Sequence, residues 1–269
     1  MLSEQRSGDL ENRRFAGMLN KVPEVTLAFW IIKIMSTTVG ETGADYLAVH
    51  IGLGTLLTDA VMLAALVASL LLQLRARQYV PWRYWLTVVL VSVVGTQITD
   101  FLTDGLDVSL YISTIVFGIA LVATFAIWFH REQTLSIHSI VTPRRELFYW
   151  ASVLFTFAPG TAAGDLATEA LQLGFQLGVV IFGTLIAVTA LAYFYGADAV
   201  LTFWIAYVLT RPLGASLGDL LSQARAYGGV GLGTIVTSAA FLTIIVVLVA
   251  WLSVEGSRQR LPAAAAAKD

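Results

Sequence analysis

Four aspartates stand at equivalent positions along this chain, each fifteen residues after a tryptophan and five residues after a glycine. Every tryptophan follows a phenylalanine or tyrosine, giving the aromatic pairs Phe29-Trp30, Tyr84-Trp85, Tyr149-Trp150 and Phe203-Trp204. The glycines are Gly40, Gly95, Gly160 and Gly214, and the aspartates are Asp45, Asp100, Asp165 and Asp219. Chance does not explain four coincident spacings, so we interpret the chain as four tandem repeats. Four carboxylates related by repetition could together bind a cation or a proton.

The first repeat has the most polar version of this pattern. Glu41 lies four residues before Asp45, on the same helix face, and two adjacent carboxylates either share a proton or bind a cation. Oxygen ligands dominate the equivalent positions of repeats two and three, where threonines replace Glu41. We therefore predict an ion-binding set of Glu41, Asp45, Asp100, Asp165, Asp219, Thr38, Thr96 and Thr161, with Glu41, Asp45 and Asp165 as metal ligands.

Other roles stay open for these residues. An aspartate at a helix end can simply reach interfacial water or cap the next segment. If the helices break at the glycines, the carboxylates could sit deeper in a cavity lined by irregular backbone; a glycine also admits a closer approach of two helices. His50, five residues past Asp45, either joins a metal entry site or is solvated.

Two cations and four tryptophans complete the pattern. Buried cations persist best when they are paired with carboxylates, so we expect Lys33 and Arg211 to compensate charge. Lys33 could pair with Glu41 two turns away or with a residue on another helix. The tryptophans are predicted to be packing or interface anchors, with a ligand cage as the alternative, and they are Trp30, Trp85, Trp150 and Trp204.

Membrane-spanning helices must position these residues. With 57% hydrophobic and 13% charged residues and a mean hydropathy of +0.78, the composition indicates an integral membrane protein. Spans of about 20 residues fit roughly at 24–45, 54–74, 82–103, 109–130, 146–166, 173–195, 198–219 and 230–253. The predicted fold is an all-α integral membrane protein with eight transmembrane helices, arranged as four parallel helical-hairpin repeats.

The basic residues predict the orientation. Thirteen of the 16 Lys and Arg residues lie in the N-terminal tail, the connections between repeats or the C-terminal tail, and such segments stay in the cytoplasm. We therefore predict a multi-pass protein with both termini cytoplasmic. Its predicted parts are a cytoplasmic tail at 1–21, a membrane domain at 22–255 with repeats at about 22–76, 80–131, 144–196 and 197–255, and a cytoplasmic tail at 256–269.

Several function classes are not indicated. The chain has no cysteine, which excludes disulfides and thiolate metal sites. It contains no HExxH, GxSxG, phosphate-loop or dinucleotide signature, so we expect neither an enzyme nor a cofactor. The expected partners are the lipid bilayer and a small ion or solute, without nucleic acid, and oligomerisation stays open.

The sequence resembles a family of bacterial membrane proteins of unknown function, built from four tandem repeats, each with two spans and a characteristic tryptophan. The matching features are Val22–Thr26 leading to Phe29–Lys33, Thr37–Thr42 with Asp45, and Phe148–Trp150 through Gly160–Asp165. The resemblance implies eight spans and a bacterial inner membrane. It brings no activity.

We expect a secondary transporter or channel for a small cation. Hard oxygen ligands without cysteine suit protons, Mn²⁺, Mg²⁺ or Ca²⁺, and the specific hypothesis is a divalent, manganese-like ion exchanged for protons. A bound divalent cation would then be the substrate. One alternative is a membrane-embedded sensor or scaffold without transport. The other is a carrier of an organic cation that uses the aromatic pairs beside the carboxylates.

Overall fold

The computed structural model describes residues 20–50 and 55–266 of the chain. Within these ranges the chain is helical and contains no strand, which confirms the predicted all-α class. The eight α-helices are α1 Leu27–His50, α2 Thr55–Leu74, α3 Pro81–Asp100, α4 Leu110–Glu132, α5 Pro143–Asp165, α6 Gly174–Phe194, α7 Ala199–Ser222 and α8 Thr234–Ala266. Eight helices were predicted at nearly these positions.

The structure describes little of the predicted N-terminal tail and most of the predicted C-terminal tail. Residues 1–19 of the predicted N-terminal tail and 267–269 of the C-terminal tail are outside the described ranges. Residues 256–266 of the predicted C-terminal tail are helical, because α8 continues to Ala266. The alanines from Ala263 to Ala266 are strong helix formers and favour this extension.

Local sequence explains several helix ends. Proline occupies the first turn of α3 and α5, at Pro81 and Pro143, where its missing N–H costs no hydrogen bond. At the start of α7 the Asp198 carboxylate accepts from the Leu201 N–H at 2.8 Å, which is N-capping. Two π-helical turns, Phe101–Gly105 and Leu166–Ala170, extend α3 and α5 directly beyond their repeat aspartates.

The first helices of the four repeats form a closed inner ring. In this ring α1 packs on α3, α3 on α5, α5 on α7, and α7 on α1. The other four, which we call the outer helices, surround it and expose most of their apolar surface. In the most apolar 18-residue segment of each helix, only 6–22% of the residues are buried in α2, α4, α6 and α8, against 56% in α3 and 61% in α7.

Each outer helix packs mainly on the inner helix of the following repeat. Thus α2 lies on α3, α4 on α5 and α6 on α7, while α8 lies on α1 and closes the circle. The two helices of one repeat make far less contact, so the prediction that each repeat is a helical hairpin is corrected. The connections 75–80 and 195–198 place α2 beside α3 and α6 beside α7.

Six of the helices, α2, α3, α4, α6, α7 and α8, are long and apolar enough to cross a membrane. The other two described helices, α1 and α5, carry charged residues that include Lys33, Glu41 and Glu146. Both belong to the inner ring, where α1 packs on α3, α7 and α8, and α5 packs on α3, α4 and α7.

Candidate functional site

The four repeat glycines lie where neighbouring inner helices touch. Each faces the residue seven positions after the tryptophan of the next repeat, and the pairs are Gly40 with Ser92, Gly95 with Phe157, Gly160 with Arg211 and Gly214 with Thr37. A Cβ atom at any of the four would come within 1.8–2.6 Å of the facing side chain. The helices run unbroken through all four positions. The glycines therefore permit close helix packing, and the alternative of helix breaks does not hold.

Glu41 and Arg211 form an ion pair inside the inner ring. The Nη2 group of Arg211 donates to Glu41 Oε2 at 2.6 Å and also donates to the Thr96 hydroxyl. Arg211 is fully buried and Glu41 is 6% exposed. One guanidinium thus joins α7 to α1 and α3. Charge-assisted hydrogen bonds of this length are among the stronger ones in proteins.

Lys33, the second predicted charge-compensating residue, has different surroundings. It is fully buried, and its Nζ lies 4.2 Å from the centroid of the Phe157 ring and 4.4 Å from that of Tyr207. Within the described part of the chain Nζ has no hydrogen-bond acceptor. The expected pairing of Lys33 with Glu41 or with a carboxylate on another helix is therefore absent there, and aromatic faces surround this cation instead.

The repeat aspartates lie at the carboxyl-terminal ends of the inner helices. An unbroken helix places each aspartate about 22 Å from its tryptophan. Asp100 interacts electrostatically with Glu41, Asp45 and Arg211. Burial differs within the set, with Asp219 buried and Asp45, Asp100 and Asp165 half-buried. The structure thus brings together a charged cluster, defined here as Glu41, Asp45, Thr96, Asp100 and Arg211.

The predicted metal ligands are not assembled into one site. Among the described residues no group of three or more His, Asp or Glu side chains is placed to hold a metal ion, and this includes Glu41, Asp45 and Asp165. The hydroxyls of Thr38 and Thr161 donate to carbonyls one turn back in their own helices, at 3.2 and 3.1 Å. The His50 side chain lies outside the described part.

The repeat aromatics fill the other half of the inner ring. Trp85, Trp150 and Trp204 are at most 5% exposed, and Trp30 is half-buried. Their rings meet edge to face, as Tyr84 and Trp85 do with centroids 5.1 Å apart and planes at 90°. Trp204 also donates its Nε1–H to the Leu135 carbonyl at 2.9 Å. Such contacts are those of a packed core.

A buried ion pair that sequence reasoning missed lies near the amino-terminal ends of α3 and α5. Lys21 Nζ donates to Glu146 Oε2 at 2.6 Å, and Gln73 Nε2 donates to the other carboxylate oxygen at 3.3 Å. Glu146 and Gln73 are fully buried. No local signal points to this pair, because a glutamate in the first turn of a helix is ordinarily solvated and favoured there by the helix dipole.

Backbone hydrogen bonds also hold the segment that precedes α1 in place. The Lys21 N–H donates to the Ile140 carbonyl at 3.1 Å, and the Tyr79 N–H donates to the Asn20 carbonyl at 3.2 Å. Residues 20–21 are therefore held against the connections that precede α3 and α5. Burial raises the pKa of the Tyr79 phenol well above its usual value of 10.0.

Comparison with known proteins agrees with the repeat pattern. A family model described as Repeat of Unknown Function (DUF347) matches the chain four times, at residues 28–79, 83–134, 148–197 and 202–257. Each match covers an inner helix and the outer helix that follows it. No curated protein and no solved structure matches the chain.

Proposed function

The chain belongs to the family described as Repeat of Unknown Function (DUF347), and from that premise we propose that it is an integral membrane protein whose inner ring moves a small cation, as a secondary transporter or channel. The family description assigns no activity. The proposal therefore depends on the charged cluster, and above all on the ion pair between Arg211 and Glu41.

Two observations support a membrane location. Six helices have the length and hydropathy of spans, and the outer helices expose large apolar side chains such as Leu63, Ile119, Val188 and Val246. Lipid, rather than water, suits such a surface. The more polar helices α1 and α5 would cross the membrane as members of the inner ring, which makes eight spans. The distribution of Lys and Arg favours cytoplasmic termini, and the family resemblance implies a bacterial inner membrane.

The Arg211–Glu41 pair would serve as an internal counter-charge. Arg211 is a positively charged residue of α7, and its guanidinium binds the Glu41 carboxylate to which a transported cation would bind. Removing one partner of a buried pair costs about 3–5 kcal/mol unless another charge replaces it. A cation or proton that binds Glu41 replaces that charge, so its arrival and the movement of Arg211 would be coupled.

The half-buried aspartates would supply the entry to this pair. Asp100 interacts electrostatically with Glu41, with Arg211 and with Asp45, and carboxylates raise the local concentration of cations. The acceptors are hard oxygen atoms, which suit protons and Mn²⁺-like divalent ions. Exchange of a divalent ion for protons at Glu41 stays the specific hypothesis, with the ion as substrate.

Flux into liposomes tests the proposal. Purified protein is reconstituted with a fluorescent indicator for Mn²⁺ or for pH inside the vesicles, and the initial rate is compared with that of protein-free vesicles. We expect Glu41→Gln, and Asp45→Asn combined with Asp165→Asn, to lower the rate at least about tenfold, because a buried charge partner or an entry carboxylate is lost.

The matched control is Asp198→Asn. Asparagine caps a helix as well as aspartate does, and Asp198 lies at the opposite end of α7 from the charged cluster. This variant should keep the wild-type rate. Unchanged flux in both carboxylate variants would refute the proposal. The proposal would also be refuted if vesicles with wild-type protein took up Mn²⁺, Mg²⁺, Ca²⁺ and protons no faster than protein-free vesicles. That result would favour a scaffold without transport.

A further inference from the structure

Threonine occupies the same position of the inner ring in repeats two and three, at Thr96 and Thr161, eleven residues after the repeat tryptophan. Both threonines are fully buried. Each hydroxyl donates to the carbonyl one turn back in its own helix, Thr96 to Ser92 at 3.2 Å and Thr161 to Phe157 at 3.1 Å. The two residues are therefore alike in burial and in local hydrogen bonding.

The two threonines differ in what reaches them from another helix. Thr96 also accepts from the Nη2 group of Arg211, whereas no guanidinium in the described ranges donates to Thr161. The same Nη2 group donates to Glu41 Oε2 at 2.6 Å. Since Nη2 carries two hydrogens, it can serve both acceptors. One donor group of α7 is thus shared between a carboxylate on α1 and a hydroxyl on α3.

The two acceptors of Nη2 respond differently to a bound cation. Under the proposed function the transported cation or proton binds Glu41, where it competes with Arg211. The neutral hydroxyl of Thr96 does not attract a cation in the same way and stays available to the guanidinium. Asp100, which lies one turn after Thr96 on the same face of α3, interacts electrostatically with Arg211. This face of α3 therefore offers partners to the guanidinium when Glu41 is occupied.

We infer that Thr96 is the positioning residue of Arg211. It holds the guanidinium beside Glu41 when that carboxylate is vacant, and it keeps the guanidinium on α3 when the cation is bound to Glu41. Thr96 then acts through Arg211 and not as a ligand of the cation, the role predicted from the sequence. The inference rests on the proposed function, because the exchange at Glu41 gives Thr96 its task.

Thermal unfolding in detergent tests the contact without any transport. Valine keeps the branched shape of threonine and removes the hydroxyl, so Thr96→Val and Thr161→Val lose the same bond within their own helices. Thr96→Val loses the bond from the guanidinium as well, and we expect it to melt about 3–10 °C below Thr161→Val. Thr96→Ser keeps a hydroxyl and should recover most of this difference. Equal melting temperatures of the two valine variants would overturn the contact.

Mn²⁺ flux into liposomes tests the role in the exchange. Initial rates are measured against Mn²⁺ concentration for the same three variants. Loss of the hydroxyl destabilises the cation-bound state more than the vacant state, because Glu41 no longer accepts from Arg211 when it holds the cation. We therefore expect Thr96→Val to raise the half-saturating Mn²⁺ concentration at least about threefold, Thr96→Ser to restore the wild-type value, and Thr161→Val to keep it.

Two results of this flux assay would overturn the positioning role. One is a lower maximal rate of Thr96→Val at an unchanged half-saturating concentration. The other is an equal rise of that concentration in Thr161→Val. If wild-type protein carries no Mn²⁺, the role in the exchange falls together with the proposed function, whereas the melting temperatures still decide whether Thr96 and Arg211 are in contact.

Arg211→Met distinguishes a positioning residue from a direct ligand of the cation. Without the guanidinium, Thr96→Val should lower the melting temperature no more than Thr161→Val does and should leave the half-saturating Mn²⁺ concentration unchanged. A rise as large as that in the wild-type background would make Thr96 a direct ligand and overturn the inference. If the Arg211→Met protein does not fold or carries no Mn²⁺, the comparisons among the three threonine variants decide.

Discussion

Replacing Gly40 by alanine should separate α1 from α3 and destabilise the protein. The new Cβ would lie 1.8 Å from Ser92 Oγ, 2.5 Å from Ser92 Cβ and 2.9 Å from the Ser92 backbone carbon. Rotation of the Ser92 side chain can move the hydroxyl but neither of the carbons. Since carbon atoms pack best at about 3.5–4.0 Å, the helices must move apart by about 1 Å.

The expected cost follows from overpacking. Forced insertion of a methyl group into a packed interface costs about 1–3 kcal/mol, although alanine returns up to about 1 kcal/mol through its higher helix propensity. With a net cost of about 1–2 kcal/mol, a chain of this size should melt about 2–8 °C lower in detergent. The measurement is thermal unfolding followed by circular dichroism or intrinsic tryptophan fluorescence.

Gly118→Ala is the control for helix propensity. Gly118 lies within the outer helix α4, and a Cβ built on it meets no atom within 4 Å. This variant should melt at or above the wild-type temperature. A second test adds Ser92→Gly to Gly40→Ala, which removes the two closest contacts and leaves the one to the backbone carbon. The double variant should regain about half of the loss. If Gly40→Ala proves as mild as Gly118→Ala, the close approach of α1 and α3 is wrong.

Three further predictions concern other parts of the fold. Glu146→Gln removes the charge partner of buried Lys21 and should cost about 3–5 kcal/mol, measured as a lower melting temperature; a loss of under 1 kcal/mol would contradict burial of this pair. Trp204→Phe removes the hydrogen bond to the Leu135 carbonyl and should cost about 1 kcal/mol, and an unchanged melting temperature would argue against that bond. Tyr79 has a raised pKa in the folded state, so its contribution to the free energy of unfolding is complete below pH 10.0 and is lost as the pH rises further. Tyr79→Phe should therefore lose less stability than wild type above that pH. Identical profiles of melting temperature against alkaline pH would contradict the burial of Tyr79.

The sequence allowed the helices and the equivalence of their residues to be predicted, because both depend on local patterns. Apolar runs of spanning length define the helices, and the recurring spacing from tryptophan to glycine to aspartate aligns the four inner ones. The role of the glycines stayed open until the facing atoms were known. A glycine in an apolar helix is compatible with either a break or a close approach.

Pairing between distant residues could not be predicted in the same way. Arg211 and Glu41 are separated by 170 positions, and nothing local to either residue selects the other. The same applies to Glu146, which is paired with Lys21 across 125 positions. The choice of neighbour for each outer helix is likewise a property of the whole ring. Repeat boundaries in the sequence therefore differ from the packing units in space.

The offset packing of the outer helices suggests how such a chain could arise by duplication. In a chain of only two repeats, the last outer helix would have no inner helix to pack against, and the first inner helix would have no outer helix packed on it. The two incomplete surfaces are complementary between copies, so two such chains would exchange outer helices and close an eight-helix ring as a two-fold symmetric dimer. If the two genes are fused, the last outer helix of the second copy and the first inner helix of the first copy belong to one chain. Their contact is then the contact between α8 and α1 observed here. The fused chain can then lose symmetry, so that Glu41 and Arg211, which have no acidic or basic equivalent in the other repeats, each arise once.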